Sequence, residues 1–291
     1  MIDGHISLVL FYILSVSKAL SQRHYLRSSE LPSSVIAAMN FILGFLPLAV
    51  ILGLLLPHHV EWSLWIVILL TIDGLAIALY NKFSFRAIKR LTITHYQTLE
   101  QSFNVFVIFG GWVLLGEVLT ATQFIGASFI IGAAVLSAFA ARSKVRAQTI
   151  QPGTVRLVIV AAIILSIGLL AEKAALGHMD IGAYFIFGIS SQALFVTMLA
   201  SRDLTKKVRA KVRRSDIRAI SVVSVLSALS GFLYLYTLNT ANNISLIISL
   251  SSFVLPLTAL ASYWLLNERG NQKVLWASIA LGVLGICITA L

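Results

Sequence analysis

His95–Glu117 reads HYQTLEQSFNVFVIFGGWVLLGE, and the pattern of this stretch decides the fold. At about 1.5 Å per residue, a helix from Thr92 to Leu115 is roughly 36 Å long, enough to cross a hydrocarbon core about 30 Å thick. It carries a charge within that length. On a helical wheel Tyr96, Gln97, Glu100, Gln101 and Asn104 fall within an arc of about 140°, while Leu99, Phe103, Phe106 and Phe109 occupy the other side. Lipid cannot solvate a carboxylate and several amides, so the arc must face protein or a water-filled cavity. A stripe that only hydrogen-bonds neighbouring helices is the plainer alternative. Five polar side chains with a carboxylate exceed what packing needs, which favours a substrate or ion pathway.

The whole chain fits that setting. Of 291 residues, 58% are hydrophobic and only 11% charged, and the mean hydropathy is +0.93. A soluble chain of this length carries about a quarter charged residues, so one or two soluble domains are excluded and an all-α integral membrane protein is expected. The formal net charge of +11 does not point to nucleic acid, because the basic residues lie in short gaps between apolar runs. Cys287 is the single cysteine, so neither an intramolecular disulfide nor a thiolate metal site is expected. The opening MIDGHIS lacks a basic region, and Lys18 lies in the first apolar run without a small-residue cleavage site, so that run is expected to be retained as a spanning helix.

Ten apolar runs follow one another: 6–26, 33–56, 62 to the basic end at 82–90, 92–115, 122–141, 155–176, 181–200, 220–238, 244–266 and 274–291. Pro32 precedes the second run and Pro47 lies in it; Gln151-Pro152-Gly153 breaks the chain near its middle. All Lys and Arg residues except Lys18 and Lys173 fall at the gaps that follow odd-numbered runs, out of 22 in total. The positive-inside rule makes those gaps cytoplasmic and turns both termini outward, in a multi-pass protein of the cell (inner) membrane.

The second half echoes the first. Leu114-Leu115-Gly116-Glu117 recurs as Leu265-Leu266-Asn267-Glu268, an offset of 151, and Ala127-Ser128 with Gly132 recurs as Ala277-Ser278 with Gly282, an offset of 150. Five helices is an odd number, so a duplicated unit inserts its copies in opposite orientations, giving ten transmembrane helices as two inverted five-helix repeats, 1–146 and 147–291. Ser128 and Gly132, with Ser278 and Gly282, read as close helix contacts. Glu117 and Glu268 read as hydrated caps of the following helices.

Five-helix repeats that close with an apolar run, a Leu-x-Glu and a small-residue final helix resemble the drug/metabolite transporter superfamily, in particular its EamA-like ten-helix members. The resemblance covers essentially the whole chain, and Pro256 matches a proline usual there. It implies a central cavity lined by the first four helices of each half, alternating access, peripheral fifth and tenth helices, and small metabolites, amino acids or amphipathic drugs as substrates.

Lys18 is the natural partner of Glu100, since both lie about 12 Å deep from the same side. Phe11, Ser15, Lys18 and Gln22 share one helical stripe. Against pairing stands a lysine that snorkels to the cytoplasmic surface. Asp73, beside Gly74, either lines the cavity or caps a broken helix. Tyr12, Asn40, Tyr80, Gln192 and Tyr234 are weaker candidates, Ser221, Ser224, Ser227 and Ser230 read as a helix contact, His58-His59 lacks a third ligand, and Glu172-Lys173 reads as a local hydrated pair. The substrate-binding set is therefore Lys18, Glu100, Tyr96, Gln97, Gln101, Asn104, Ser15 and Asp73, with Glu100 as the proton-coupling group.

The expected function is a secondary active transporter, an exporter of a small polar or zwitterionic metabolite, with the proton as coupling ion. The alternatives are an exporter of cationic amphipathic drugs, which Lys18 opposes, and a non-transporting membrane subunit. No His-Glu-x-x-His, paired catalytic Asp motif or nucleotide-binding loop supports an enzyme or an ATP-driven pump. No cofactor and no metal are expected; the partners are a small-molecule substrate, the proton and the lipid bilayer, and a monomer is compatible with this.

Overall fold

The computed structural model describes residues 4–91, 93–100, 102–141, 152–204, 212, 214–240, 244–265 and 272–289. Those residues are helical apart from short connections and one isolated antiparallel bridge, Val60 to Met179. The helices are α1 (Gly4–Ser28), α2 (Ser33–Leu55), α3 (Leu64–Ile88), α4 (Ile93–Glu100), α5 (Ser102–Leu115), α6 (Ala121–Ala141), α7 (Pro152–Leu176), α8 (Ile181–Ser201), α9 (Arg214–Thr240), α10 (Ile244–Ser251), α11 (Val254–Leu265) and α12 (Gln272–Thr289). Five stretches are long and apolar enough to cross a membrane: Ser33–Leu55, Leu64–Ile88, Gly153–Leu176, Ile181–Ser201 and Asp216–Asn239. Shorter apolar helices include Ser102–Leu115 and Ser249–Leu265. Large apolar side chains such as Leu54, Leu64, Phe109 and Trp112 point outward, as lipid-facing residues do.

α3 is the central helix, packed on α7 and α8; α1 packs on α9, α2 on α8, α5 on α7, and α6 on α12. The seam between α6 and α12 does not use Ser128, which is exposed and bonds its own helix at Phe124 O. Ala127, Ile130 and Ala133 are buried there instead, with Ser278 from α12.

The run 92–115 is described as α4 and α5, on either side of Gln101, which lies outside the described residues. One expected continuous helix is interrupted: the run 244–266 is α10 and α11, joined by Ser252 and Phe253. Pro256 has no N–H to return to Ser252, and the chain tightens into three-residue bonds there: Ser252 N to Ser249 O, Phe253 N to Leu250 O and Leu255 N to Ser252 O. Pro47 acts on α2 in the opposite sense. Just before it, 41–45 widens into a π turn in which Leu46 N donates to Phe41 O, five residues back. Within that turn Gly44 meets the backbone of α9, where a Cβ would stand 2.3 Å from Ser224 O.

The connections gather at two ends. At one, Lys89 Nζ donates to Ser29 O and Leu31 O, and Ser34 Oγ donates to the Asp203 carboxylate. At the other, Glu61 N donates to His178 O at 3.0 Å and Asp180 N to His59 O at 3.0 Å. There too Gly116, at φ +66, turns the chain after α5. The turn sends Glu117 to Ile244 N at 2.8 Å, so this carboxylate caps α10 rather than the helix that follows it. α6 is capped by its own box, Gln123 N to Thr120 Oγ1 and Thr120 N to Gln123 Oε1. Glu268 lies outside the described residues.

Gly44→Val is expected to destabilise the protein by about 1–3 kcal/mol, since the added atoms meet backbone rather than a yielding side chain. Gly153→Ala, with open space at its Cβ, is the near-neutral control. Thermal unfolding in detergent, followed by far-UV circular dichroism, measures both; equal midpoints would contradict the tight α2–α9 crossing.

Candidate functional site

A cavity of about 330 Å³ opens among the helices. α1 contributes Phe11, Ser15, Lys18 and Gln22; α2 contributes Asn40, Phe41 and Phe45; α3 contributes Tyr80, Asn81 and Ser84. α4 brings Tyr96, Gln97 and Glu100 to it, and α7, α8 and α9 bring Glu172, Gln192, Ser230 and Tyr234. The stripe on α1 thus turns inward, and Lys18 lies on the cavity wall.

Glu100 is the most heavily supported of these groups. Tyr80 Oη and Tyr96 Oη both donate to its Oε1. Tyr96 Oη is 2.6 Å from Ser84 Oγ and 3.4 Å from Tyr80 Oη, so α3 and α4 are stitched together around the carboxylate. Lys18 acts on Glu100 electrostatically within the same cavity. The two donated hydroxyls offset part of what burial costs a carboxylate. Gln97 Oε1 is buried on the same wall with no partner, an acceptor left over for a ligand.

Of the residues singled out in sequence, Ser15, Lys18, Tyr96, Gln97 and Glu100 therefore share one cavity. Gln101 lies outside the described residues. Asn104, read from the wheel as part of the same arc, turns elsewhere: its Nδ2 donates to Ser252 Oγ at 2.8 Å and ties α5 to the α10–α11 junction. Asp73 is fully buried behind the wall, where its Oδ2 accepts from Tyr184 Oη at 2.8 Å and Gln192 Nε2 at 2.9 Å. It does not cap a broken helix, since α3 runs unbroken from Leu64 to Ile88. Gly74 lets α8 approach at that level, with Ser191 Oγ donating to Leu70 O at 2.8 Å.

The reading of Glu172 and Lys173 as a local hydrated pair is corrected. Glu172 is 5% exposed and meets Tyr184 Oη, whereas Lys173 Nζ donates to Leu238 O at 3.0 Å. Adjacent helical residues point about 100° apart, so neighbours in sequence are poor partners. Sequence reasoning also passed over Asn81 and Ser84, read Ser230 as a helix contact, and set aside Tyr80, Tyr234 and Asn40 as weaker candidates. The missing signal is tertiary, because each becomes a wall only when helices from both ends of the chain meet.

No family model matches the chain, and no curated protein matches it. Among solved structures 27 chains match. One, described only as the crystal structure of a protein, aligns over 97% of this chain and 98% of its own with a TM-score of 0.71 and 17% sequence identity. At that identity the likeness shows a shared fold over the full length.

Tyr96→Phe is expected to lower stability by about 1.5–3 kcal/mol, the worth of a buried hydrogen bond to a charged group. Adding Glu100→Leu removes the anion that the missing hydroxyl left short of a donor, so the double variant recovers part of that loss. A double-mutant cycle from thermal or denaturant unfolding measures the coupling; strictly additive losses would mean that Tyr96 does not support Glu100.

Proposed function

We propose that the chain is a secondary active transporter that exports a small zwitterionic, amino-acid-like metabolite across the cell membrane by alternating access. The observation that carries this reading is the cavity, in which an ammonium from Lys18 and a carboxylate from Glu100 share about 330 Å³ inside an apolar bundle. That volume is at the small end of ligand pockets, about 300–1,000 Å³, and suits a metabolite. A zwitterion answers both charges, its carboxylate taken by Lys18 and its ammonium by Glu100, with Gln97 Oε1 as a further acceptor.

Alternating access needs two halves that rock around the site. We read ten spans in two inverted halves, 1–146 and 147–291, resembling the EamA-like drug/metabolite transporters. Two observations support the reading. Exchanging the first five runs for the last five carries the α1–α9 contact onto α7–α3 and the α5–α7 contact onto α11–α1, and it returns α6–α12 to itself. The connections that follow the first, third and seventh runs meet at one end, and we read that end as cytoplasmic from its basic residues, with the termini outside.

A second carboxylate on the wall, Glu172, favours one other reading, export of cationic amphipathic drugs. Proteoliposomes under an imposed pH gradient, offered a mixed pool of amino acids and metabolites, distinguish the two. Wild type is expected to move a zwitterion, and Lys18→Met and Glu100→Gln each to lose flux by about tenfold or more, the cost of one charge-assisted contact. Transport of a cationic dye that rises in Lys18→Met would move the assignment to drugs. Equal zwitterion flux in all three proteins would overturn the site.

A further inference from the structure

Behind the cavity wall lies a second polar cluster with an unusual hydrogen inventory. Tyr184 Oη is 2.8 Å from Asp73 Oδ2 and 3.1 Å from Glu172 Oε2. Gln192 Nε2 is 2.9 Å from Asp73 Oδ2 and 3.0 Å from Tyr184 Oη, and donates to both. A phenol carries one hydrogen, and an ionised carboxylate only accepts. Tyr184 therefore donates to one carboxyl, and its contact with the other requires a hydrogen from that carboxyl. Asp73 Oδ2 already accepts from Gln192, so the Tyr184 hydrogen completes its support as an anion. Glu172 supplies the remaining hydrogen, donated from Oε2 to Tyr184 Oη.

Among the described residues no Lys or Arg bonds Asp73 or Glu172. Lys173, next in sequence, gives its ammonium to Leu238 O. α2 and α5, which pack against α8 and α7, contain no titratable residue. α9 presents Tyr234, whose buried hydroxyl has no partner and lies within electrostatic reach of Glu172. Lys18 and Glu100, from α1 and α4, belong to the same cavity as Glu172. Two carboxylates on one hydroxyl in so dry a setting cannot both ionise without strong repulsion. Asp73 Oδ1 and Glu172 Oε1 are also buried without partners, leaving the cluster room to bind or release a hydrogen.

We infer that Asp73, Tyr184 and Glu172 form a proton-binding site, with Glu172 holding the proton that exchanges with the cavity. This deepens the transporter reading and rests on it for the word coupling. Asp73 is on α3, whereas Glu172 and Tyr184 are on α7 and α8, so the loaded cluster bonds the two halves of the chain to one another. Release moves one proton from Glu172 Oε2 to cavity water, leaves a second carboxylate and removes the Glu172-to-Tyr184 bond. Proton occupancy is thereby linked to how firmly α7 holds α8, the helix whose Tyr184 and Gln192 bond Asp73 across the two halves. Glu100, carrying its own two hydroxyl donors, keeps the role of ligand anion.

Infrared spectroscopy of the protein in lipid nanodiscs tests the site without any transport assay. Wild type at neutral pH is expected to show the carbonyl stretch of a protonated carboxyl. That band is expected to vanish in Glu172→Gln, persist in Glu100→Gln and shift in Tyr184→Phe, which keeps the acid and removes its acceptor. A band absent from wild type, retained in Glu172→Gln, or replaced by sodium when sodium is added would overturn the proposal, the last by making the site one for a metal cation. In proteoliposomes, the ratio of zwitterion flux with and without a pH gradient is expected to fall to unity in Glu172→Gln; a ratio unchanged from wild type would refute coupling here. A Glu172-dependent band in a protein that moves no substrate leaves the proton site standing and sinks the transporter reading instead.

Discussion

Tyrosine hydroxyls hold carboxylates inside an apolar helix bundle, and the arrangement of the central helices depends on that constraint. An unpaired carboxylate among apolar helices costs several kcal/mol or more. Tyrosine is suited to remove that cost, because its ring packs as a hydrophobic body while its tip donates one strong hydrogen bond. Tyr80 and Tyr96 do this for Glu100, and Tyr184 does it for Asp73 while also meeting Glu172. Each set spans different helices: the first locks α3 to α4, the second locks α3 to α7 and α8. α3 belongs to both sets and sits at the centre of the bundle.

Two of the helices that border the cavity are not ideal. α2 widens into a π turn before Pro47, and tight bonds precede Pro256 at the α10–α11 junction. α4 carries a polar segment that faces the cavity, whereas α5 carries Phe109 and Trp112 outward. Asn104 on α5 binds Ser252, so one polar arc in the sequence serves both a wall and a joint.

Much of this was legible in the sequence. Apolar runs gave the helices, because lipid imposes length rules that operate locally. The Tyr96, Gln97 and Glu100 face and the Ser15 and Lys18 stripe were visible for the same reason, since one helix wheel contains each. The π turn and the α10–α11 junction were less legible: Pro47 and Pro256 flag them without giving their form. Glu172 was misread because a wheel shows what shares a helix face and says nothing of which neighbour arrives there. Tyr184 and Asp73 lie 111 residues apart, and only tertiary packing joins them. Glu117 was assigned to the wrong helix for that reason too, since its partner Ile244 is 127 residues away.

The central claim is that the Glu100 face borders water inside the membrane rather than a dry helix contact. Cys287 is the single cysteine, so a Cys287→Ala background allows single thiols to be read one at a time. A membrane-impermeant maleimide reacts with thiolate, which requires water at the sulfur. Gln97→Cys and Asn81→Cys, on the cavity wall, are expected to be labelled, and Phe109→Cys, 61% exposed on the outer apolar face, to be spared. If all three stay unlabelled in intact membranes, the polar face is packing and the cavity is not a route.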